Sequence, residues 1–480
     1  MKSDNLTLHT DKYQINMMYA HWRNGSHRNR AVFEAYFRKL PFGNGFAVFA
    51  GLRRIVEYIN QLRFSDEMIE YLARQEERYD PEFLELLRTF RFTGSLWSAE
   101  EGTVVFANEP LVRVEATVFE AHLLETALLN FLNYQTLIAT KAARIRLVAP
   151  NETLMEFGTR RAQEADAAIW GARAAYIAGF DATSNLLAGM MFGIPTSGTH
   201  AHAWVQQHDS EQEAFDKFAA ALPDQVTLLV DTYDTLKSGV PNAIRTAKRM
   251  EAEGKRMRAI RLDSGDLAYL SKMARKMLDD AGLPYVQIVA SNDLDENIIV
   301  ELKAQGARID GWGIGTQLIT AADQPSLGGV YKLVARERGG QWEPVIKISG
   351  NPEKVSTPGI KDVYRIIDRS TGKALADYVA LAEETDVREG KRLELFDPVH
   401  PYLHQFVEEY DAMPLLKPVF ANGEQVYELP SLETIREHHR EQLKLFWPET
   451  LRKLNPHPYA VDLSPKAWSG KMDLIRKYKK

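Results

Sequence analysis

The side chains able to do chemistry gather first between Leu154 and Val205. LMEFGTRRAQ supplies Phe157, Arg160 and Arg161; GFDATSNLLAG supplies Thr183 and Ser184; GIPTSGTHAHAWV supplies Thr199, His200 and His202. A guanidinium fork matches a carboxylate or a phosphate at two points in one plane. A phenylalanine face stacks on an aromatic ring. An aromatic, paired guanidiniums and imidazoles on one rim point to a flat, anionic ligand. The plainer reading of Arg160 and Arg161 is surface charge, which by itself stabilises little.

Thr199-His200-Ala201-His202 is the sharpest local signal. Residues two apart on an extended segment face the same way, so both imidazoles are expected to look into one cavity. Three readings stay open: two ligands of a metal that needs further donors, a nucleophile that accepts a phosphoryl group, or a satisfied polar histidine at a strand end. In RLDSGDL, Arg261 and Asp263 alternate with Leu262 and project to one side. Asp263 suits magnesium or a ribose diol, because a carboxylate accepts two hydroxyl hydrogen bonds. Asp263 or Ser264 equally suits the cap of the following helix. Ser291-Asn292-Asp293 and GWGIGT, ending in Gly315 and Thr316, read as sugar or phosphate handling by exposed backbone N–H groups. The latter string is neither a Walker loop nor a dinucleotide fingerprint.

Short apolar runs must carry these residues, and helical segments must space them. VTLLVDTYDT, RAIRLDSGDL, YVQIVASNDLDE and IDGWGIGTQL continue the strand-then-helix rhythm, with GVYKLVA and PVIKIS completing it. Such alternation predicts an α/β fold in which strand carboxyl ends carry the site. A β/α barrel, TIM-like or an irregular variant, is expected over 136–349, with an open doubly wound sheet as the competitor. Residues 1–135 lack that rhythm and read as an α+β, sandwich-type domain, completed by hairpin-like alternation over 350–400. Residues 400–480 read as a mostly helical lobe.

The totals narrow the class. With 480 residues, the chain exceeds one ordinary core. A net charge of −6 disfavours a general nucleic-acid binder. The absence of cysteine removes disulfide and thiolate chemistry and fits a reducing cytoplasm. No apolar run approaches the ~20 residues of a membrane span, and the amino terminus lacks the core of a signal peptide. A cytoplasmic enzyme is expected, with no nucleic-acid or membrane partner.

Taken together, TDKYQINMMY, FEAYFRKLPFGNGFAVFAGL, EFGTRRAQ, GFDATSNLLAG, GTHAHAW, RLDSGDL and SNDLDE with GIGTQL resemble the nicotinate phosphoribosyltransferase family, in order along the chain. The resemblance implies transfer of phosphoribosyl from phosphoribosyl pyrophosphate to nicotinate, in NAD biosynthesis. It also implies ATP hydrolysis through a phosphohistidine, Mg²⁺, a homodimer, and no tightly bound organic cofactor. By motif, Phe157 stacks on the pyridine ring and Tyr13 of the partner subunit covers the opposite face. Arg160 and Arg261 hold the nicotinate carboxylate or a neighbouring phosphate, and Thr199 lines the base site. Asp263 reaches the ribose or its metal, with Asn292 and Asp293 beside the sugar; Gly315 and Thr316 take the 5′-phosphate. His202 aligns with the phosphorylated residue. Nicotinamide-using relatives carry an aspartate where this chain has Ser184, and its absence favours the acid over the amide. Two rivals stand beside this: a metal-dependent barrel hydrolase using His200 and His202, and a noncatalytic metabolite-binding protein on the same scaffold.

Overall fold

The computed structural model describes residues 5–351 and 354–479. The chain divides into two compact units, Met1–Leu137 with Ser326–Lys480, and Ile138–Pro325.

The second unit is built on a parallel sheet of six strands. In spatial order these are Ala182–Thr183, Thr153–Glu156, Gly311–Ile314, Gln287–Ser291, Ala259–Leu262 and Thr227–Leu229. Leu228, Ile260, Leu262, Ile288, Ala290, Trp312 and Ile314 are all buried, as expected of a parallel sheet covered on both faces. Full burial of each large aliphatic side chain contributes ~1.5–3 kcal/mol. Polar residues are therefore displaced to the strand ends. The helices between the strands start on side-chain caps: Asn185 accepts from the Ala188 N–H at 3.0 Å, Asp266 from Tyr269 at 2.9 Å, and Asp295 from Ile298 at 2.8 Å. Beneath the last of these, Lys141 and Arg144 donate to Oε1 of the fully buried Glu296 at 3.1 and 2.8 Å.

Three expectations are corrected here. The sheet is a half-barrel with Ala182–Thr183 and Thr227–Leu229 as its outer strands, not a closed eight- or nine-stranded barrel. GVYKLVA lies in the strand Gly329–Arg338, which pairs antiparallel with Arg30–Phe37 in the other unit's sheet, and PVIKIS contributes only Pro344 to a strand. Within GIPTSGTHAHAWV, a single bridge from Thr196 to Thr183 replaces the expected strand. Apolar alternation registers a strand but not the sheet it joins, which explains these errors.

The first unit contains a seven-stranded antiparallel sheet, from Gln341–Pro344 through Arg30–Phe37 to Lys417–Ala421 and Glu424–Gln425. A four-stranded sheet places Lys361–Asp368 beside Ala374–Leu381, which in turn pairs in parallel with Ala460–Leu463. The lobe over 400–480 is not mostly helical: short strands stand beside the helices Leu432–Lys444, Pro448–Leu451 and Pro465–Tyr478. Its strands are only two to five residues long and carry Pro414 and Pro418, so their alternation is hard to read. Among the described residues no helix is long and apolar enough to cross a membrane.

Helix Leu432–Lys444 packs on Gly102, where a Cβ would stand 2.8 Å from the Ile435 carbonyl oxygen. Next to it His439 is 2 % exposed; its Nδ1 lies 2.9 Å from the Gly102 carbonyl oxygen and its Nε2 lacks a partner. Burial, with smaller contributions from His438, Arg440 and Arg436, lowers this imidazole from 6.5 to about 4. The unfolded chain therefore takes up the proton first. This residue's contribution is complete above pH 6.5 and is lost as the pH falls toward 4, by at most about 3 kcal/mol. Denaturant titrations should record that loss, and His439→Gln should flatten it. An equal slope in wild type and variant would exclude the imidazole as its source.

Candidate active site

At the carboxyl end of the parallel sheet, Arg261 and Asp263 come together as their alternation requires. Arg261 Nη2 donates to Asp263 Oδ1 at 2.8 Å, and its Nε donates to Ser291 Oγ at 2.8 Å. Its Nη1 lies 3.4 Å from Thr199 Oγ1. The buried Ser291 hydroxyl donates to the same Asp263 oxygen in a short bond. From the neighbouring strand end, Asp231 Oδ2 accepts the Asp263 N–H at 2.9 Å and the Ser264 hydroxyl at 2.6 Å. The cap expected of Asp263 or Ser264 is instead made by Asp266. Asp263 is thus free to face the strand-end opening.

The Phe157 ring lies with its centroid 5.5 Å from the Arg261 guanidinium, within cation–π range. Its N–H donates to the Ile314 carbonyl at 2.8 Å. A Cβ on Gly313 would stand 2.6 Å from ring carbons of Phe157, and one on Gly315 would stand 3.1 Å from the Phe157 carbonyl oxygen. Glycine in GWGIGT therefore has a steric purpose: it seats an aromatic ring on the adjacent strand.

The two histidines part company, against expectation. His200 is buried; the Leu229 N–H donates to its Nε2 at 3.2 Å, which puts the neutral ring's proton on Nδ1, 3.3 Å from the Ala201 carbonyl. Burial lowers its pKa, so the ring stays neutral. Ala201 is extended, but His202 opens the helix His202–Gln206 and turns away from its neighbour. His202 Nδ1 lies 3.1 Å from Thr232 Oγ1, and Nε2 lies 3.9 Å from Asp263 Oδ2. With the first imidazole engaged by backbone, the hydrolase reading loses a ligand. Among the described residues no group of three or more His, Cys, Asp or Glu is arranged to hold a metal ion.

The remaining expected residues are less tightly gathered. Arg160 and Arg161 are exposed on the turn after Gly158, and neither is hydrogen-bonded to the Arg261 group among the described residues. Ser184 is exposed at the end of its strand, with its N–H donating to the Glu156 carbonyl at 2.9 Å. Asn292 and Asp293 are exposed with φ of 93° and 42°, a strained backbone for residues with a Cβ. Thr316 is half-buried at the start of the helix Thr316–Ile319. Tyr13, in the other unit, is 49 % exposed on the helix Lys12–Arg23. Sequence reasoning missed Asp231, Thr232 and Glu156. Asp231 ends an apolar run just as Asp263 does, which was its available signal; only spatial adjacency identifies the other two.

Three family models match the chain. They are described as the nicotinate phosphoribosyltransferase (NAPRTase) N-terminal domain over residues 8–133, the nicotinate phosphoribosyltransferase (NAPRTase) family over 153–377, and the nicotinate phosphoribosyltransferase C-terminal domain over 360–471. The chain is 55% identical to the nicotinate phosphoribosyltransferase of Bacillus subtilis (strain 168) over 480 residues, spanning 100% of this chain and 97% of that relative. The chain belongs to the nicotinate phosphoribosyltransferase family. A Homo sapiens nicotinate phosphoribosyltransferase is 35% identical over 95% of this chain and 94% of its own length. The crystal structure of human nicotinic acid phosphoribosyltransferase superposes with a TM-score of 0.86 at 33% identity, covering 97% of this chain and 99% of that one. A nicotinate-nucleotide pyrophosphorylase from Pyrococcus furiosus follows with a TM-score of 0.70 at 25% identity, covering 93% and 97%.

In this nicotinate phosphoribosyltransferase family member, the ring seat is open to a direct test. Gly313→Ala should cost about 1–3 kcal/mol of stability and push the Phe157 ring off the strand. An unchanged melting temperature together with a crystal structure showing the ring unmoved would refute the steric account.

Proposed function

We propose that this chain joins the ring nitrogen of nicotinate to C1 of phosphoribosyl pyrophosphate, giving nicotinate mononucleotide and pyrophosphate. ATP hydrolysis is coupled to the transfer through a phosphohistidine at His202. The observation that carries the reading is the hydrogen-bonded group of Arg261, Asp263, Ser291 and Thr199, with the Phe157 ring on one side and His202 on another. One aromatic face, one cation and one carboxylate are what a pyridine acid, its anionic partner and a ribose diol require.

Phosphoribosyl transfer passes through an oxocarbenium-like transition state, so the ring, the ribose and the leaving group must be held in line. Phe157 supplies the stacking face, while Arg261 with Arg160 draws in the carboxylate or a neighbouring phosphate. Thr199 lines the base site. Asp263 accepts from the ribose hydroxyls, with Asn292 and Asp293 beside it, and Gly315 and Thr316 receive the 5′-phosphate. Tyr13 of the partner subunit covers the far face of the ring, so the active form is a homodimer.

The donor set fits a shared magnesium ion. Asp263 is joined by Asp231, whose Oδ1 is buried without a hydrogen-bond partner. Two carboxylates suit an ion that keeps water and phosphate ligands. Such an ion, when bound, offsets the charge of the departing pyrophosphate.

His202 Nε2 is the ring nitrogen nearer Asp263. Phosphorylation there brings about −1.5 to −2 charges and three acceptor oxygens beside Arg261, enough to rearrange the charged loops without lying on the path of glycosyl transfer. His202→Ala should therefore lose ATP stimulation and retain slow, ATP-independent transfer; full coupling in that variant would remove His202 from its role.

Substrate choice follows from charge. Ser184→Asp should raise the nicotinate KM, because a carboxylate at that strand end repels the anionic acid. Unchanged nicotinate kinetics would count against the assignment. Offering nicotinate, nicotinamide and quinolinate in parallel, with product formation read for each, tests the reading as a whole. A noncatalytic binder forms none of the products and no acid-labile phosphate from labelled ATP.

A further inference from the structure

Glu156 is 1 % exposed, yet no cation pairs with it among the described residues. Burial raises its proton affinity, while hydrogen bonds from Thr183 and the Gly158 N–H oppose that shift. A buried carboxylate with no counter-ion is costly, and nothing in packing the strand calls for one. Its hydrogen bonds give the reason for its presence. Oε1 accepts from the Gly158 N–H in a short bond, and Oε2 accepts from the Thr183 hydroxyl at 2.6 Å. Thr183 Oγ1 in turn accepts the Asn185 N–H at 3.0 Å, and the Glu156 carbonyl accepts the Ser184 N–H at 2.9 Å.

These bonds have a regular layout. The Glu156 side chain loops over Phe157 to grip the residue beyond it, and the Thr183 side chain loops over Ser184 to grip the residue beyond that. The two looping side chains are then bonded to each other. The strand preceding Ser184 is only two residues long, paired at Met155–Ala182 and Glu156–Thr183 on one side and bridged from Thr183 to Thr196 on the other, so its backbone ladder is short. Gly158 fits the arrangement too: a Cβ there would stand 2.8 Å from Glu156 Oε1 and 2.5 Å from Ile319 Cβ.

We infer that Glu156 and Thr183 form a clasp that sets the spacing between Phe157 and Ser184, and so act as positioning residues for the pyridine acid. This rests on the assignment of Phe157 to the ring and Ser184 to its substituent. Every group that meets the carboxylate is a donor, so an ionised carboxylate satisfies the clasp. A glutamine can keep its oxygen on the Gly158 N–H and donate its NH₂ to the Thr183 hydroxyl, which accepts as well as donates, whereas a leucine removes both bonds.

The test compares Glu156→Leu, Thr183→Val and Thr183→Ser in the full chain. Thr183→Val keeps the shape and removes both hydroxyl bonds; Thr183→Ser keeps both. The nicotinate KM should rise ~10-fold in Glu156→Leu and Thr183→Val, each of which leaves buried polar groups unpaired. The phosphoribosyl pyrophosphate KM should stay within about twofold, since its contacts lie on other strands. Preference for nicotinate over nicotinamide should narrow in both, and Thr183→Ser should restore wild-type values. An unmoved nicotinate KM in folded Thr183→Val, or an equal rise in both KM values, would overturn the inference. Amide hydrogen exchange at Gly158 and Asn185 provides a readout that needs no turnover: exchange should quicken in Thr183→Val and recover in Thr183→Ser. If wild type makes no nicotinate mononucleotide, the assigned activity fails while exchange still reports the clasp; if wild type is active and exchange does not change, the clasp fails alone.

Discussion

A carboxylate can accept hydrogen bonds but cannot donate them, and the strand-end site depends on how that one-sidedness is met. The parallel sheet buries its apolar strands on both faces and leaves polar side chains only where strands end. There, Asp263 takes a guanidinium N–H and a serine hydroxyl from two strands, while its own N–H goes to Asp231 on a third. Three adjacent strands are thereby tied at their tips by groups that are also available to a ligand. Because the ties to Ser291 and Asp231 cross from one strand to the next, shifting any one strand end disturbs its neighbours. Charge-assisted bonds of this kind are the strong ones, and two share the Asp263 carboxylate.

The strand ends also divide labour between neighbouring residues. Ser184, Asp231, Asp263 and Asp293 are each followed within three residues by a cap: Asn185, Asp234, Asp266 and Asp295. Because the later residue satisfies the orphan N–H groups of the helix, the earlier one need not. This separation resolves an ambiguity in RLDSGDL, where one aspartate faces the strand-end opening and the other starts the helix. It also bears on the strained turn at Asn292 and Asp293. The cap at Asp295 and the buried Glu296 beneath it, held by Lys141 and Arg144, fix the helix start on which that turn must close.

Much of this was legible from residue order, and the failures have physical causes. Alternation placed Arg261 and Asp263 together because a strand's period of two allows little else. The same rule failed at His200 and His202, because the segment enters a helix at the second histidine and the period changes there. The half-barrel could not be distinguished from a closed barrel, since closure is a property of the outer strands' partners. Carboxyl-terminal strands such as Lys417–Ala421 escaped notice because their partners, here Ser95–Ser98, lie far away in sequence. Glu156 gave no signal at all. A glutamate before Phe-Gly reads as an ordinary polar residue until Thr183 and Gly158 are seen around it.

The choice between a pyridine acid and its amide can be followed through the same charges. Glu156 already places a buried carboxylate next to Phe157, and two hydrogen bonds rather than a cation meet it. Thr183, whose hydroxyl serves one of those bonds, is the immediate neighbour of Ser184. An aspartate at 184 would add a second negative group next to Thr183, whose hydroxyl already meets Glu156, on the side that the proposed assignment gives to the anionic substituent. Like charges in a partly desolvated strand-end setting repel more strongly than in water. A serine avoids the repulsion and still offers a hydroxyl able to donate. Under the proposed assignment, the identity at this position is tied to the buried carboxylate across the inferred clasp: a neutral donor at 184 leaves room for an acid substituent where the adjoining strand already carries a carboxylate.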